Sequence, residues 1–264
     1  MNYRDSSFLT GLFVIFLLPL MLLIVYSFAA GWSFPRLLPE SFSFRSYRYL
    51  AENTGNVGRA LLSSTIYSLL TVLCSLLITL LPARGIARFD FPARRILDAL
   101  LLMPALVPAM TFSMGVHILF IRFGLSDSYP GIILILTVFS YPYMLRALVI
   151  AYQRIPEDYS LAAGNLGGSF LFTLLRVELP MLLPGIAAGA SVVFLVAFSD
   201  YFLVFLIGGG AVPSYTGYLM PFLQGSDHAV SSLLTLLFLV VPLTLFFLME
   251  GLTTAFYKKR GLES

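Results

Sequence analysis

Cysteine and histidine, on which many active sites depend, are almost absent from this sequence of 264 residues. The single cysteine, Cys74, excludes an internal disulfide and a metal site built from several cysteines. The two histidines, His117 and His228, have no second ligand at a useful spacing, so we expect no metal bound by this chain. The ATP-binding pattern G-x-x-x-x-G-K-[ST] is missing too, which excludes a phosphate-binding loop of that type.

Charged residues are also scarce, at 11% of the chain, whereas soluble domains contain about 25%. Hydrophobic residues make up 59%, and the mean hydropathy is +0.92. This leaves too little polar surface to cover a fold in water, so a soluble enzyme is excluded and a membrane protein with several spans is predicted. The net charge of +3 comes from scattered basic residues, which do not indicate nucleic-acid binding.

Six apolar segments are long enough to cross a bilayer as helices, which needs about 20 residues each. They comprise residues 8–30, 60–81, 96–120, 131–152, 181–207 and 230–249. The first is longer than the apolar core of a cleaved signal peptide, so we expect it to be retained. We therefore predict an all-α integral membrane protein with six transmembrane helices in a single domain over residues 1–264.

The distribution of Lys and Arg predicts the orientation of the chain. Of the 16 basic residues, 11 fall in segments on the side of the N-terminus and 5 on the opposite side. Since basic residues are enriched in cytoplasmic loops, both termini are predicted to be cytoplasmic. The longest loop on that side comprises residues 153–180 and is called the 153–180 loop below.

The 153–180 loop has the pattern of two short helices joined by a glycine turn. Pro156 suits a first helical turn, and the acids Glu157 and Asp158 are favourable at a helix N-terminus. Gly167 suits the left-handed position that ends a helix. A second helix is predicted over Phe170–Glu178, capped by Ser169 and ended by Pro180. The loop therefore resembles a rigid knob suited to docking on a partner.

Spacing within this loop resembles a family motif, the "EAA" loop of ABC-importer permeases, E-A-A-x3-G-x9-I-x-L-P. The matching residues are Ala162, Ala163, Gly167, Val177, Leu179 and Pro180. The length, the six spans and the position of the loop between the fourth and fifth spans agree with this family. Leu161 departs from it, because the motif has glutamate there. Any charged contact of that glutamate is lost, unless Glu157 or Asp158 replaces it.

The resemblance implies a fold, partners and a location. The fold would be a MetI-like permease bundle with both termini inside, in the bacterial inner membrane. Two cytoplasmic ATP-binding subunits, which bind ATP and Mg²⁺, would dock on the loops of this chain and of a second permease. An extracytoplasmic binding protein would deliver the solute, and membrane lipid would surround the spans. The chain itself would hold no cofactor and would not be an enzyme.

The solute is less constrained by the sequence. The chain is most similar to spermidine/putrescine-type permeases and to their relatives for iron, thiamine, phosphonate and sulfate, which makes a polyamine one candidate. Asp200, followed by Tyr201, lies in the predicted fifth span, where a carboxylate costs about 2.5–3.5 kcal/mol and commonly faces a cavity. Either Asp200 lines the pathway and attracts a cation, or it lies near the outer mouth and contacts water, Ser199 or Tyr201.

Two further interpretations remain open at this level. The spacing of Gly185 and Gly189 permits close helix approach, either within the bundle or against the second permease. A secondary transporter without an ATPase is the alternative function, although it predicts internal repeats and leaves the 153–180 loop unexplained. An intramembrane serine protease is disfavoured, because no G-x-S-x-G segment occurs and His117 has no evident partner.

Overall fold

The computed structural model describes residues 3–30, 39 and 41–260, and the side chains of residues 14–30, 39 and 41–258. The chain divides into two compact units. The first unit comprises Met1–Leu62 and Tyr215–Val241, and the second comprises Ser63–Ser214 and Pro242–Ser264.

The first unit contains helices and one small sheet. Its elements are α1 (Tyr3–Phe28), β1 (Ala29–Ala30), β2 (Ser41–Phe42), α2 (Arg45–Glu52), α11 (Tyr215–Gln224) and the beginnings of α3 (Thr54–Arg88) and α12 (His228–Arg260). The two strands pair antiparallel, with Ala29 opposite Phe42. Tyr49 of α2 is hydrogen-bonded to Tyr218 of α11 at 2.7 Å between hydroxyl oxygens.

The second unit holds the longest helices and the 153–180 loop. Its elements are α3 (Thr54–Arg88), α4 (Arg94–Leu102), a 3₁₀ turn (Met103–Ala105), α5 (Ala109–Arg122), α6 (Tyr129–Arg154), α7 (Asp158–Asn165), α8 (Phe170–Thr173), a π-helical turn (Leu174–Glu178), α9 (Leu179–Ser199), α10 (Phe202–Gly208) and the end of α12 (His228–Arg260). Its apolar core is formed by buried side chains of α3, α5, α6, α9 and α10, among them Tyr67, Phe120, Ile132, Ala197 and Ile207.

Helices α6 and α9 form the most extensive helix pair among the described residues. A Cβ atom placed on Gly185 would lie 2.3 Å from Cβ of Ala151, and one on Gly189 would lie 2.7 Å from Sδ of Met144. Both distances are far below van der Waals contact, so only glycine permits this approach. The glycine spacing therefore serves packing within the chain, the first of the two interpretations that the sequence left open.

The predicted third span, 96–120, is wrong as a single helix. The chain bends by 86° between Arg94–Ala105 and Ala109–Arg122. Pro104 lies in the 3₁₀ turn, and Pro108 precedes α5 with φ −58° and ψ 111°. Because proline donates no backbone hydrogen bond and its ring excludes a regular preceding turn, two prolines within five residues separate the helices.

The predicted fifth span, 181–207, is also interrupted. Helix α9 ends at Ser199, and the chain is extended at Asp200 before α10 begins. The Asp200 Oδ1 atom accepts a hydrogen bond from the Leu203 backbone N–H at 2.7 Å. Asp200 therefore caps α10 and satisfies one of the N–H groups that a helix N-terminus leaves free.

Four described helices are long and apolar enough to cross a membrane, and a fifth span is obtained if the bent pair counts as one. The four are Thr54–Arg88, Tyr129–Arg154, Phe170–Ser199 and His228–Lys258. Within α1 the described apolar part is Val14–Phe28, which is shorter. Six membrane crossings and the orientation of the chain in the membrane therefore stay predictions.

Candidate functional site: the 153–180 loop

Helix α7 ends where the sequence indicates, but it begins later, because Pro156 precedes the N-cap and does not lie in the first turn. Glu157 occupies the N-cap and Asp158 the first turn. At the other end Gly167 has φ +84°, a conformation that side chains with a Cβ rarely adopt. Gly168 N–H donates to the Ala163 carbonyl at 2.9 Å, and Gly167 N–H donates to the Gly164 carbonyl at 2.9 Å. These two bonds form a Schellman motif, which closes the helix and fixes the direction of the chain that follows.

The second helix begins as predicted but does not end at Pro180. Ser169 accepts a hydrogen bond from Phe172 N–H and caps α8. The helix then continues through the π-helical turn into α9. The Leu179 N–H donates to the Leu174 carbonyl, five residues back. The wider turn accommodates the ring and the missing N–H of Pro180, so the prediction of a helix end there is wrong.

Glu178, in the π-helical turn, is held by an arginine from another helix. Its side chain is 1% exposed. The Arg84 Nε atom lies 3.1 and 2.9 Å from the two carboxylate oxygens, and Arg84 Nη2 lies 3.0 Å from Oε1. Ser160 of α7 donates to the same Oε1 at 2.9 Å. One carboxylate thus joins the end of α3, helix α7 and the start of α9.

A second ion pair fixes the N-terminus of α7. The Arg88 Nη1 atom lies 3.5 Å from Oε1 of Glu157. Arg88 lies one turn after Arg84 on α3, so both arginines face the loop. The Arg84 guanidinium also lies 5.0 Å from the centre of the Phe170 ring, a distance suited to a cation–π contact. Both short helices of the loop are therefore attached to the last two turns of α3.

The outer surface of the loop includes apolar side chains beside charged ones. Leu161 is 61% exposed and Leu166 is 89% exposed. Ala162 and Asp158 are exposed, whereas Ala163 is half-buried. Val177, Leu179 and Pro180 are half-buried along the helix that leads into α9. The residues matched to the motif therefore lie together in one loop, with Leu161, Ala162 and Gly167 on its accessible surface.

The residues that hold the loop in place are not evident from the sequence. The sequence indicates no contact for Arg84, Arg88 or Ser160, and it marks Glu178 only as the last residue of the predicted second helix. Arg84 and Glu178 are 94 positions apart. The signal in the sequence was a pair of arginines four residues apart at the end of a long apolar helix.

Asp200 and Tyr201 lie apart from this loop in the chain, at the break between α9 and α10. Tyr201 stacks on Phe205 with ring centres 5.5 Å apart. The described residues contain no group of three or more His, Cys, Asp or Glu side chains that could hold a metal ion.

Comparison with known proteins identifies relatives of this chain. It is 28% identical to the diacetylchitobiose uptake system permease protein NgcG of Streptomyces coelicolor, over 72% of this chain and 64% of that protein. It is 27% identical to the trehalose transport system permease protein SugB of Mycobacterium tuberculosis, over 64% and 61%. The sulfate transport system permease protein CysT of Salmonella typhimurium is 27% identical over 68% and 70%. The alignments with the first two span less than two thirds of those proteins.

The fold is similar to that of a solved structure. The chain matches a bacterial ABC transporter involved in the import of the acidic polysaccharide alginate, with a TM-score of 0.70 and 15% identity. The match covers 95% of this chain and 98% of the other. A similarity at this level of identity concerns the fold.

A family of membrane transport components matches most of the second unit. The family is described as "Binding-protein-dependent transport system inner membrane component", and residues 83–260 match it. This segment contains α4–α12 and the whole 153–180 loop. Members of this family are transport subunits and not enzymes. The chain is a multi-pass inner-membrane protein of the binding-protein-dependent transport family.

Proposed function

We propose that the chain is the transmembrane permease subunit of an ATP-driven ABC importer. The observation that carries this proposal is the 153–180 loop, a helix–turn–helix anchored to α3 by two ion pairs and exposed on its outer surface. Because the loop is attached to α3 by these ion pairs, a movement of the loop caused by a docked partner also moves α3. A secondary transporter without an ATPase leaves such a loop unexplained.

The partners follow from the same loop. Two cytoplasmic ATP-binding subunits supply ATP and Mg²⁺ binding, one docking on this chain and one on a second, homologous permease. The docking residues are Glu157, Asp158, Leu161, Ala162, Ala163, Gly167, Val177, Leu179 and Pro180. An extracytoplasmic binding protein delivers the solute to the pathway between the two permeases.

The mechanism is a rigid-body switch with two states. When the ATP-binding subunits close, each moves the α7 helix docked in it. The Glu178 carboxylate contacts both Ser160 and Arg84, so it conveys that movement to α3 and, through the π-helical turn, to α9. These two helices then tilt and open the pathway to the outside.

We infer a small solute and do not propose a polyamine. The relatives are named for diacetylchitobiose, trehalose and sulfate, so similarity gives no support to a polyamine. Asp200 and Tyr201 remain proposed pathway residues. Irregular backbone at membrane depth is tolerated where it is buried in protein or lines a water-filled cavity, and the break between α9 and α10 fits either position.

The test is purification of the chain in mild detergent through a C-terminal tag, with ATP hydrolysis measured on the eluate. We expect an ATP-binding subunit to co-purify. Replacing Ala162 and Gly167 together should remove that subunit while the amount of chain in the membrane stays the same. A single-chain oligomer without ATP hydrolysis would contradict the proposal and favour a secondary transporter.

A further inference from the structure

Helices α9 and α12 border a groove in the second unit that the proposed function does not use. Its volume is about 230 Å³, whereas sites that enclose a whole ligand measure about 300–1,000 Å³. The groove therefore fits one part of a larger molecule. We call it the α9–α12 groove. Its walls include the small residues Ala187, Ala188 and Ser191 of α9, and Phe246, Glu250 and Thr253 of α12.

Tyr257 holds the two walls of the groove together near the end of α12. Its hydroxyl donates a hydrogen bond to the Met181 carbonyl of α9 at 3.0 Å. Glu250 and Thr253 precede Tyr257 by seven and four residues, so all three lie on one face of the helix. The bond to Met181 therefore keeps the face of α12 that carries Glu250 directed toward α9.

Glu250 lies inside the apolar part of a helix that is long enough to cross the membrane, His228–Lys258. The aromatic residues and Lys258 at the end of this helix are typical of the membrane surface. Glu250 precedes Tyr257 by two turns, about 10 Å along the axis. Its side chain is exposed and forms no ion pair among the described residues. Because a carboxylate at membrane depth is costly unless it is paired, Glu250 requires a cation from outside this part of the chain.

The polar atoms of the groove indicate the chemistry of that cation. Ser191 donates its hydroxyl hydrogen to the Ala187 carbonyl at 2.8 Å, and Thr253 donates its own to the Met249 carbonyl at 2.7 Å. Both hydroxyl oxygens therefore have only lone pairs left, and the ionised carboxylate of Glu250 is an acceptor too. A set of acceptors around one negative charge suits a primary ammonium, which has three N–H donors, and not a quaternary ammonium, which has none.

We propose that the α9–α12 groove binds the headgroup of an aminophospholipid of the phosphatidylethanolamine type. The ammonium donates to Glu250 and to the hydroxyl oxygens of Ser191 and Thr253. The acyl chains lie along exposed apolar side chains of α12, among them Leu243 at 53% and Phe246 at 46% exposure. A lipid supplies both the cation and the hydrocarbon at this depth, whereas a water-soluble amine supplies only the cation. The inference does not depend on the proposed function.

The experiment is a lipid titration of the purified full chain in detergent, followed by native mass spectrometry. Phosphatidylethanolamine is compared with phosphatidylcholine of identical acyl chains, so that the two lipids differ only in the methyl groups on nitrogen. Wild type is compared with Glu250→Gln, which keeps the shape of the side chain and removes its charge. Glu52→Gln is the matched control, because Glu52 is an exposed acid in α2, outside the candidate membrane spans.

We expect wild type and Glu52→Gln to bind phosphatidylethanolamine about tenfold more tightly than phosphatidylcholine, the size of effect given by a hydrogen bond to a charged group. Glu250→Gln should reduce this preference to less than threefold. Equal binding of the two lipids by wild type, or an unchanged preference in Glu250→Gln, would overturn the inference. Displacement of the lipid by an excess of water-soluble phosphoethanolamine would overturn it too, because the site would then recognise a free amine.

Contact with another protein chain is the competing explanation for the α9–α12 groove. A photoreactive benzoylphenylalanine in place of Phe246, which lines the groove, is irradiated in intact membranes. We expect adducts whose added mass equals that of an aminophospholipid, and fewer of them when Glu250→Gln is also present. A cross-link to a protein in place of lipid would show that a partner chain covers the groove, which contradicts the inference.

Discussion

Glu178 connects the 153–180 loop to α3 through its buried carboxylate. Its carboxylate is buried and receives four hydrogen bonds, three from Arg84 and one from Ser160. Removing one partner of a buried pair leaves the other charge without compensation, at a cost of about 3–5 kcal/mol. The stability of the chain should therefore depend on this pair more than on other ion pairs in the second unit.

The first prediction concerns Glu178→Gln. We expect the free energy of unfolding to fall by about 3 kcal/mol, because Arg84 remains largely buried without its counter-charge. Thermal unfolding of the purified chain measures the change. The control is Asp90→Asn, which removes an exposed pair with Arg94 at 2.5 Å and should cost less than about 1 kcal/mol. Equal effects of the two substitutions would contradict the assigned role.

The second prediction concerns Gly167→Val. A β-branched residue at φ +84° is strained, which costs about 1–2 kcal/mol and opens the Schellman turn. We expect uptake by the complete transporter to be lost while the amount of chain in the membrane is nearly unchanged. Gly164→Ala is the control, since a Cβ there meets nothing within 4 Å and alanine favours helix. Normal uptake by Gly167→Val would contradict the role of the turn.

At the residue scale, local signals were predictable from the sequence and distant contacts were not. Gly167 and Ser169 take the capping positions that their residue types indicate, because caps depend on neighbours within a few positions. Arg84 and Glu178 meet only after α3 and the loop are placed in three dimensions. Nothing in a single sequence specifies which arginine meets which acid.

At the scale of elements, the pairing of α6 with α9 depends on two glycines. The third prediction concerns Gly185→Leu, whose side chain would enter the space of Ala151. We expect a loss of about 1–3 kcal/mol from overpacking, measured as a lower unfolding temperature in detergent. Gly251→Leu on α12 is the control, because a Cβ at Gly251 meets nothing within 4 Å. Equal unfolding temperatures for the two variants would contradict close packing at Gly185.

Prolines explain why helix boundaries were harder to predict than helices. Pro104 and Pro108 interrupt a segment that hydropathy alone predicts to be one continuous helix. Pro180, by contrast, lies in a helix that continues past it, although proline was expected to end that helix. The difference is local. In the π-helical turn before Pro180, a backbone N–H donates to the carbonyl five residues back and not four. The predicted third span has no such turn and bends at its two prolines. The same residue type therefore gives opposite results, which depend on the turn before it.

At the scale of the whole molecule, the distribution of basic residues predicts the orientation of the chain in the membrane. The fourth prediction is that Leu166→Cys, in a Cys74→Ser background, is labelled only from the cytoplasmic side, and Glu52→Cys only from the opposite side. The physical reason is the retention of Lys and Arg in cytoplasmic loops. Labelling of intact cells and of inverted vesicles with a membrane-impermeant maleimide measures it. The reverse pattern would invert the assignment of every loop.

The attachment of the 153–180 loop to α3 affects how the protein can be re-engineered. A chimera that transplants residues 153–180 into a related permease would leave Glu157 and Glu178 without Arg88 and Arg84. Under the proposed function, such a graft would present the docking residues on a loop without its attachment to α3, and the partner would hydrolyse ATP without moving solute. The smallest interchangeable piece consists of the loop together with the final two turns of α3, although the two are separated by more than sixty residues of chain.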